Sequence, residues 1–78
     1  MKNNQIDYKV IKLRETIKIG EQSLIELDPN YLEKSGAKAD VFEDERGITV
    51  RSVVEFRGNV QEQTIFIPYS GIRYISYK

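Results

Sequence analysis

From Gly47 onward the chain falls into three strand-like segments, Gly47 to Phe56, Val60 to Pro68 and Ile72 to Tyr77. They are rich in β-branched and aromatic residues and are parted by short polar turns. An ending of that kind constrains the whole molecule to a mainly β fold, a small barrel or rolled antiparallel sheet. With 78 residues, positions 1–78 form a single small β-rich domain. Such a chain buries only about 60 to 65 per cent of its unfolded surface and gains from a staple or a partner subunit. Cysteine and histidine are both absent, so neither a disulfide framework nor the usual zinc ligand sets exist. Oligomerisation is the staple that remains.

No apolar run approaches the roughly 20 residues a membrane span requires, and the start Met1-Lys2-Asn3-Asn4-Gln5 lacks the apolar core of a secretion signal. The expectation is a cytoplasmic protein without a membrane partner. Twelve basic and twelve acidic residues cancel, which argues against a nucleic-acid coat that binds by counterion release. The charges are nonetheless segregated: residues 1–20, 21–45 and 46–78 carry +3, −6 and +3. That segregation either orients an anionic ligand or a partner, or solvates strand faces and turns.

Between Ile6 and Ile19 two periods coexist. Ile6, Val10, Leu13 and Ile17 follow helical spacing, whereas Ile11, Leu13, Ile17 and Ile19 alternate with Lys12, Arg14, Thr16 and Lys18. β-Branched content favours a strand, with a bulge where the phase shifts between Val10 and Ile11 and a basic stripe of Lys12, Arg14 and Lys18 on one face. Gly20 to Ser23 reads as a turn and Leu24 to Leu27 as a short strand. Asp28 as N-cap, Pro29 at the first helical position, Lys34 in the last turn and Gly36 beyond it predict one short helix at about 28–35. Lys38 to Glu43 then forms a hairpin with Ile48 to Arg57 across the turn Asp44 to Gly47. On the second strand Ile48, Val50, Ser52, Val54 and Phe56 share one face. After a turn at Arg57-Gly58-Asn59, Thr64 and Phe66 oppose Ile65 and Ile67, which predicts a strand buried on both faces, at a barrel junction or a subunit interface.

The chain carries no phosphate-binding loop, dinucleotide fingerprint or nucleophile elbow. Its serines have no marked base, and Glu43-Asp44-Glu45 lacks the spacing of a calcium loop and reads as a solvated turn. The expectation is a non-enzymatic protein without catalytic residues, metal or cofactor. Tyr69, Ser70, Arg73 and Tyr74, with Tyr77 close by and with Arg51 and Arg57 on a neighbouring strand, form the candidate ligand-binding group. Tyrosine stacks on bases and arginine forks onto phosphate. The competing reading packs Tyr74 beside Ile72 and leaves Arg73 and Tyr77 to cover the sheet edge.

The segment Gln63-Thr64-Ile65-Phe66-Ile67-Pro68-Tyr69-Ser70-Gly71-Ile72-Arg73-Tyr74-Ile75 resembles the closing strands of Sm-like and SH3-like small barrels. The resemblance covers about a quarter of the chain. It implies that Ile72 to Tyr77 pairs with a neighbouring subunit and that Tyr69, Ser70 and Arg73 face a ligand. The asparagine, glycine and charged signatures of the Sm RNA pockets are not recognisable, and the 28–36 helix lies inside the chain. Two functions follow: a homo-oligomeric barrel holding a nucleotide or single-stranded RNA at subunit interfaces, in one form a phage-type nucleotide sponge, or an adaptor or inhibitor docking on a protein partner through the acidic middle block.

Overall fold

The computed structural model describes residues 4–78, the side chain of Phe56 excepted. The polar start at Met1 to Asn3 and the facing of Phe56 thus lie outside the described residues. Every described strand pairing is antiparallel, and the strands make two sheets ordered β1-β4-β5-β6 and β3-β2-β7. The strands are β1 (Asn4–Gln5), β2 (Tyr8–Ile19), β3 (Gln22–Leu27), β4 (Ala37–Glu43), β5 (Gly47–Phe56), β6 (Asn59–Pro68) and β7 (Ile72–Tyr77). A helix α1 (Pro29–Lys34) follows β3, and a single 3₁₀ turn (Tyr69–Gly71) separates β6 from β7. The fold is mainly β with one short helix. Among the described residues no ladder joins the two sheets into a closed barrel.

The ambiguous 6–19 stretch resolves as strand from Tyr8 to Ile19. Ile11, Leu13 and Ile19 are buried against the core, while Arg14, Thr16 and Lys18 stay exposed, and the isoleucines favour the extended backbone. The irregularity expected between Val10 and Ile11 is displaced. Against β7 the register shifts between Tyr8 and Val10 and again between Lys12 and Leu13. Against β3 it shifts between Lys12 and Ile17: β2 advances five positions while β3 retreats two, from Glu26 to Leu24. Three extra residues on β2 therefore bend it sharply, and this bend lets one strand serve β3 at both ends and β7 in its first half. Gly20 (φ 63°) takes the first central place of the two-residue turn into β3, the position that glycine fills in type II′ hairpins.

The helix starts where the sequence marks it. Asp28 is extended and its carboxylate accepts a hydrogen bond from Asn30 N at 3.0 Å, Pro29 opens the first turn, and Gly36 (φ 80°) follows the C-terminal Ser35. Strands β4, β5 and β6 form a meander whose β5–β6 register is unbroken from Gly47↔Pro68 to Phe56↔Asn59. The turn that closes it, Arg57-Gly58, has positive φ at both positions (51° and 79°), the geometry of a type I′ hairpin. Ile48, Val50 and Ser52 point inward as the alternation on β5 requires, and Ser52 Oγ satisfies itself on the Gln63 carbonyl at 3.3 Å.

One core fills the space between the sheets, centred on Ile11, Leu13, Leu27, Leu32, Val41, Ile48 and Val50. The expectation for β6 is corrected here. Ile67 is buried and Ile65 half-buried, but Thr64 and Phe66 on the opposite face are exposed, because β6 is an outer strand with nothing stacked on its second face. Phe66 lies instead under the Arg46 guanidinium, 5.6 Å from ring centroid to Cζ. No helix among the described residues is long and apolar enough to cross a membrane.

Candidate functional site

Pro68 ends β6 opposite Gly47, and the 3₁₀ turn then carries the chain from one sheet to the other. This crossover determines what the candidate residues can share. Strand β7 pairs with β2 and not with β5, so Arg51 and Arg57 are not on a strand neighbouring Tyr74. Arg51 sits on the outer face of the four-stranded sheet between Asp40 of β4 and Thr64 of β6. Arg57 lies in the turn just past the far end of β5, about 30 Å from Gly47 at 3.3 Å per residue of strand. Tyr69 and Ser70 lie in the 3₁₀ turn and Arg73 and Tyr74 at the start of β7, whereas Arg51 and the turn holding Arg57 belong to the other sheet.

Tyr69 (41% exposed) and Tyr74 (51% exposed) present their rings to solvent, and Ser70 and Arg73 are exposed between them. Tyr74 is therefore not packed into the core; Ile72 is. Arg73 owes its position to a register shift: Leu13 pairs with Ile72 and Lys12 with Tyr74, which leaves Arg73 as the extra residue of a bulge. Across the sheet Tyr74 stands beside Lys12, whose ammonium pairs with Glu26 at 3.0 Å. That pair contributes little stability, and it draws the ammonium toward β3, on the side of β2 away from Tyr74.

The residue that sequence reasoning missed is Glu43. Its carboxylate accepts hydrogen bonds from the Tyr69 hydroxyl (2.5 Å) and the Tyr77 hydroxyl (2.8 and 3.0 Å), and Tyr69 also reaches the Asp44 carbonyl at 2.9 Å. Asp44 in turn accepts from the Arg46 and Gly47 amides at 2.7 and 3.2 Å. The acidic tip is thus a structural knot tying the β4–β5 turn to the 3₁₀ turn and the end of β7. No local signal marks it, because its partners lie 26 and 34 positions away. Among the described residues no group of three or more acidic side chains is arranged to hold a metal ion.

The knot leaves its mark on the phenols. Tyr69 has its pKa pushed up to about 12, first by the hydrogen bond it donates to Glu43 and then by burial and by the charges of Glu43, Tyr77 and Asp44. Tyr77 is raised by burial, then by the same carboxylate. Tyr8 rises to about 12, chiefly by burial and then through Asp40 and Asp28; its hydroxyl donates to the Ala39 carbonyl at 3.1 Å. A phenol whose folded pKa exceeds its unfolded value of about 10 stabilises the fold fully below pH 10 and loses that contribution as pH rises through about 12. Unfolding free energy should therefore fall between pH 10 and 12, with a late phase of tyrosinate absorbance from Tyr8, Tyr69 and Tyr77. Tyr69→Phe should remove one phenol from the late phase, and a single phase near pH 10 would refute the Glu43 knot.

Clefts open on the surface among the described residues. One of about 440 Å³ lies between α1, Ile6 to Tyr8 and the β4 edge from Ala37 to Val41. Another, about 410 Å³, lies around the β2–β3 turn and Val54, and a narrower one of about 260 Å³ separates Glu15 to Ile17 of β2 from Ile65 to Pro68 of β6. The last borders Ser70 and Gly71 and marks where the two sheets part. Fold and site together define a small two-sheet β protein with an aromatic and basic edge. No protein-family model matches the chain, and no curated protein or solved structure does either.

Proposed function

We propose that this chain is a non-enzymatic, homo-oligomeric β module that holds an anionic ligand with a stackable base, a nucleotide or single-stranded RNA, against the 3₁₀ turn and β7. The observation that carries the reading is the exposure of Tyr69, Ser70, Arg73 and Tyr74 within one six-residue stretch. Because the Tyr69 hydroxyl is committed to Glu43, its part is ring stacking and not hydrogen-bond donation. Arg73, on its bulge, supplies the fork for phosphate. Kinship of this rolled pair of sheets with the Sm-like or SH3-like small barrels belongs to this proposal. It is supported by a β4–β5–β6 meander that ends in a one-turn elbow and a final strand returning to β2. A nucleotide sponge is its most specific form.

Docking through the acidic block is the weaker reading. Of the eight acids between residues 21 and 45, Glu26 is ion-paired, Asp28 caps α1, and Glu43 and Asp44 build the tyrosine knot. Those carboxylates serve the fold.

Calorimetric titration against mononucleotides, cyclic dinucleotides and short oligoribonucleotides tests the proposal. Arg73→Ala and Tyr69→Ala should weaken binding by about 1.5 to 3 kcal/mol, whereas Lys34→Ala and Lys38→Ala should cost less than about 1. Tyr69→Phe, which keeps the ring, should bind nearly as well as the parent. Failure of the whole panel at millimolar concentration, together with recovery of a stoichiometric protein partner, would replace this reading with the adaptor.

A further inference from the structure

Outer strands offer a row of unpaired backbone groups, and folded proteins blunt them with charge, proline, bulges or brevity. Strand β1 is only two residues long, and β7 is broken by the Arg73 bulge. The free part of β4 is capped where Ile6 N reaches the Val41 carbonyl and the Tyr8 hydroxyl the Ala39 carbonyl. Strand β6 is blunted far less. It runs ten residues in unbroken register with β5, its one charge is Glu62, and its proline is the last residue. Its outer face also exposes two large apolar side chains, Val60 (63%) and Phe66 (46%).

We propose that β6 pairs antiparallel with β6 of a second copy about a two-fold axis at Gln63, so that the two four-stranded sheets become one. The register follows from the side chains. A two-fold axis normal to the sheet keeps each side chain on its own face, so it must pass through a residue position. Centred on Glu62, the pairing sets like charges directly opposite each other. Centred on Thr64, it sets Glu62 against the partner's Phe66 and Val60 against the partner's Pro68, which has no amide to donate. Centred on Gln63, it sets Val60 against the partner's Phe66 twice over and Glu62 against the partner's Thr64. Both exposed apolar groups of the strand are then covered, and no like charges meet. The Gln63 side chain does not obstruct the axis, since its Nε2 donates to the Lys18 carbonyl at 3.0 Å on the inner side.

This inference gives the oligomer proposed above a particular interface. The chain has no cysteine, so single-cysteine reporters are unambiguous. Under mild oxidation Gln63→Cys should form a disulfide-linked dimer in high yield. Asn59→Cys, which the register holds about 26 Å from its own copy, should not. Light scattering at about 100 micromolar should return twice the chain mass. Val60→Glu and Phe66→Lys should each raise the dimer dissociation constant at least tenfold, and the double variant should recover most of the loss, because each glutamate then meets a lysine across the axis. Within one chain the two positions are about 20 Å apart, so recovery cannot arise internally. A monomer at that concentration overturns both the interface and the oligomer. An oligomer that resists both single variants, or cross-links at position 59 and not 63, overturns the interface alone.

Discussion

Gly47→Ala should be among the most damaging single substitutions in this chain, lowering unfolding free energy by roughly 3 kcal/mol. The reason is steric and not conformational, since Gly47 does not occupy the left-handed region. A methyl group at this position would sit 2.2 Å from the Ile67 carbonyl oxygen and 2.7 Å from Pro68 Cα, both of them backbone atoms that no rotamer change can move. Relief requires prying β6 from β5 at the Gly47↔Pro68 pair, where the 3₁₀ turn begins and where Tyr69 N bonds the Arg46 carbonyl. Gly58→Ala supplies the control: its φ is +79° but nothing lies within 4 Å, so it should cost about 1 kcal/mol of backbone strain. Chemical denaturation of the two variants compares them directly. Equal losses would mean that the β5–β6 end can open without penalty. A loss confined to Gly47→Ala, with weakened ligand binding, would tie the strand end to the Tyr69 surface.

What the sequence made legible is what local chemistry specifies. The helix is readable because Asp28, Pro29 and Gly36 each satisfy a backbone requirement within a few residues of its own. The meander is readable because its alternation matches the pleat and the turn between β5 and β6 carries Gly58 at one of its two positive-φ positions. The bend in β2 was not, since its three surplus residues are defined only by what β3 and β7 place opposite them. Phe66 misled for a related reason. An apolar side chain on each face reads as a doubly buried strand, yet the same pattern arises on an outer strand whose second face is open to solvent. The candidate site was half legible: Tyr69 to Tyr74 is contiguous in sequence, whereas Arg51 and Arg57 were grouped with it by composition and are separated from it by the crossover at Pro68. Glu43 was visible only as part of an acidic run. Its role appears when strands distant in sequence deliver two phenols to one carboxylate.

Leu32→Ala should cost about 3 kcal/mol, and the helix makes the loss larger than its length implies. Six residues are too few to be helical in water, because nucleation fixes several dihedrals before the first hydrogen bond repays them. Helix α1 therefore persists by docking on β4 and β2, and Leu32, 1% exposed, is its buried residue in the core. Truncation to alanine removes the transfer free energy of the lost carbons and leaves a cavity that opens into the 440 Å³ cleft, whose wall Leu32 forms. Access to that cleft lets water enter and caps the penalty near the middle of the usual 2 to 5 kcal/mol range. Asp28→Ala removes only the cap on Asn30 N and should cost roughly 1 kcal/mol. Both act on one helix, so the double variant should lose less than the sum of the two singles: once α1 has undocked, its cap has nothing left to stabilise. Denaturation midpoints of the four proteins measure the coupling. Strict additivity would mean that α1 stays folded without its anchor, and that the connection from β3 to β4 is held by the cap alone.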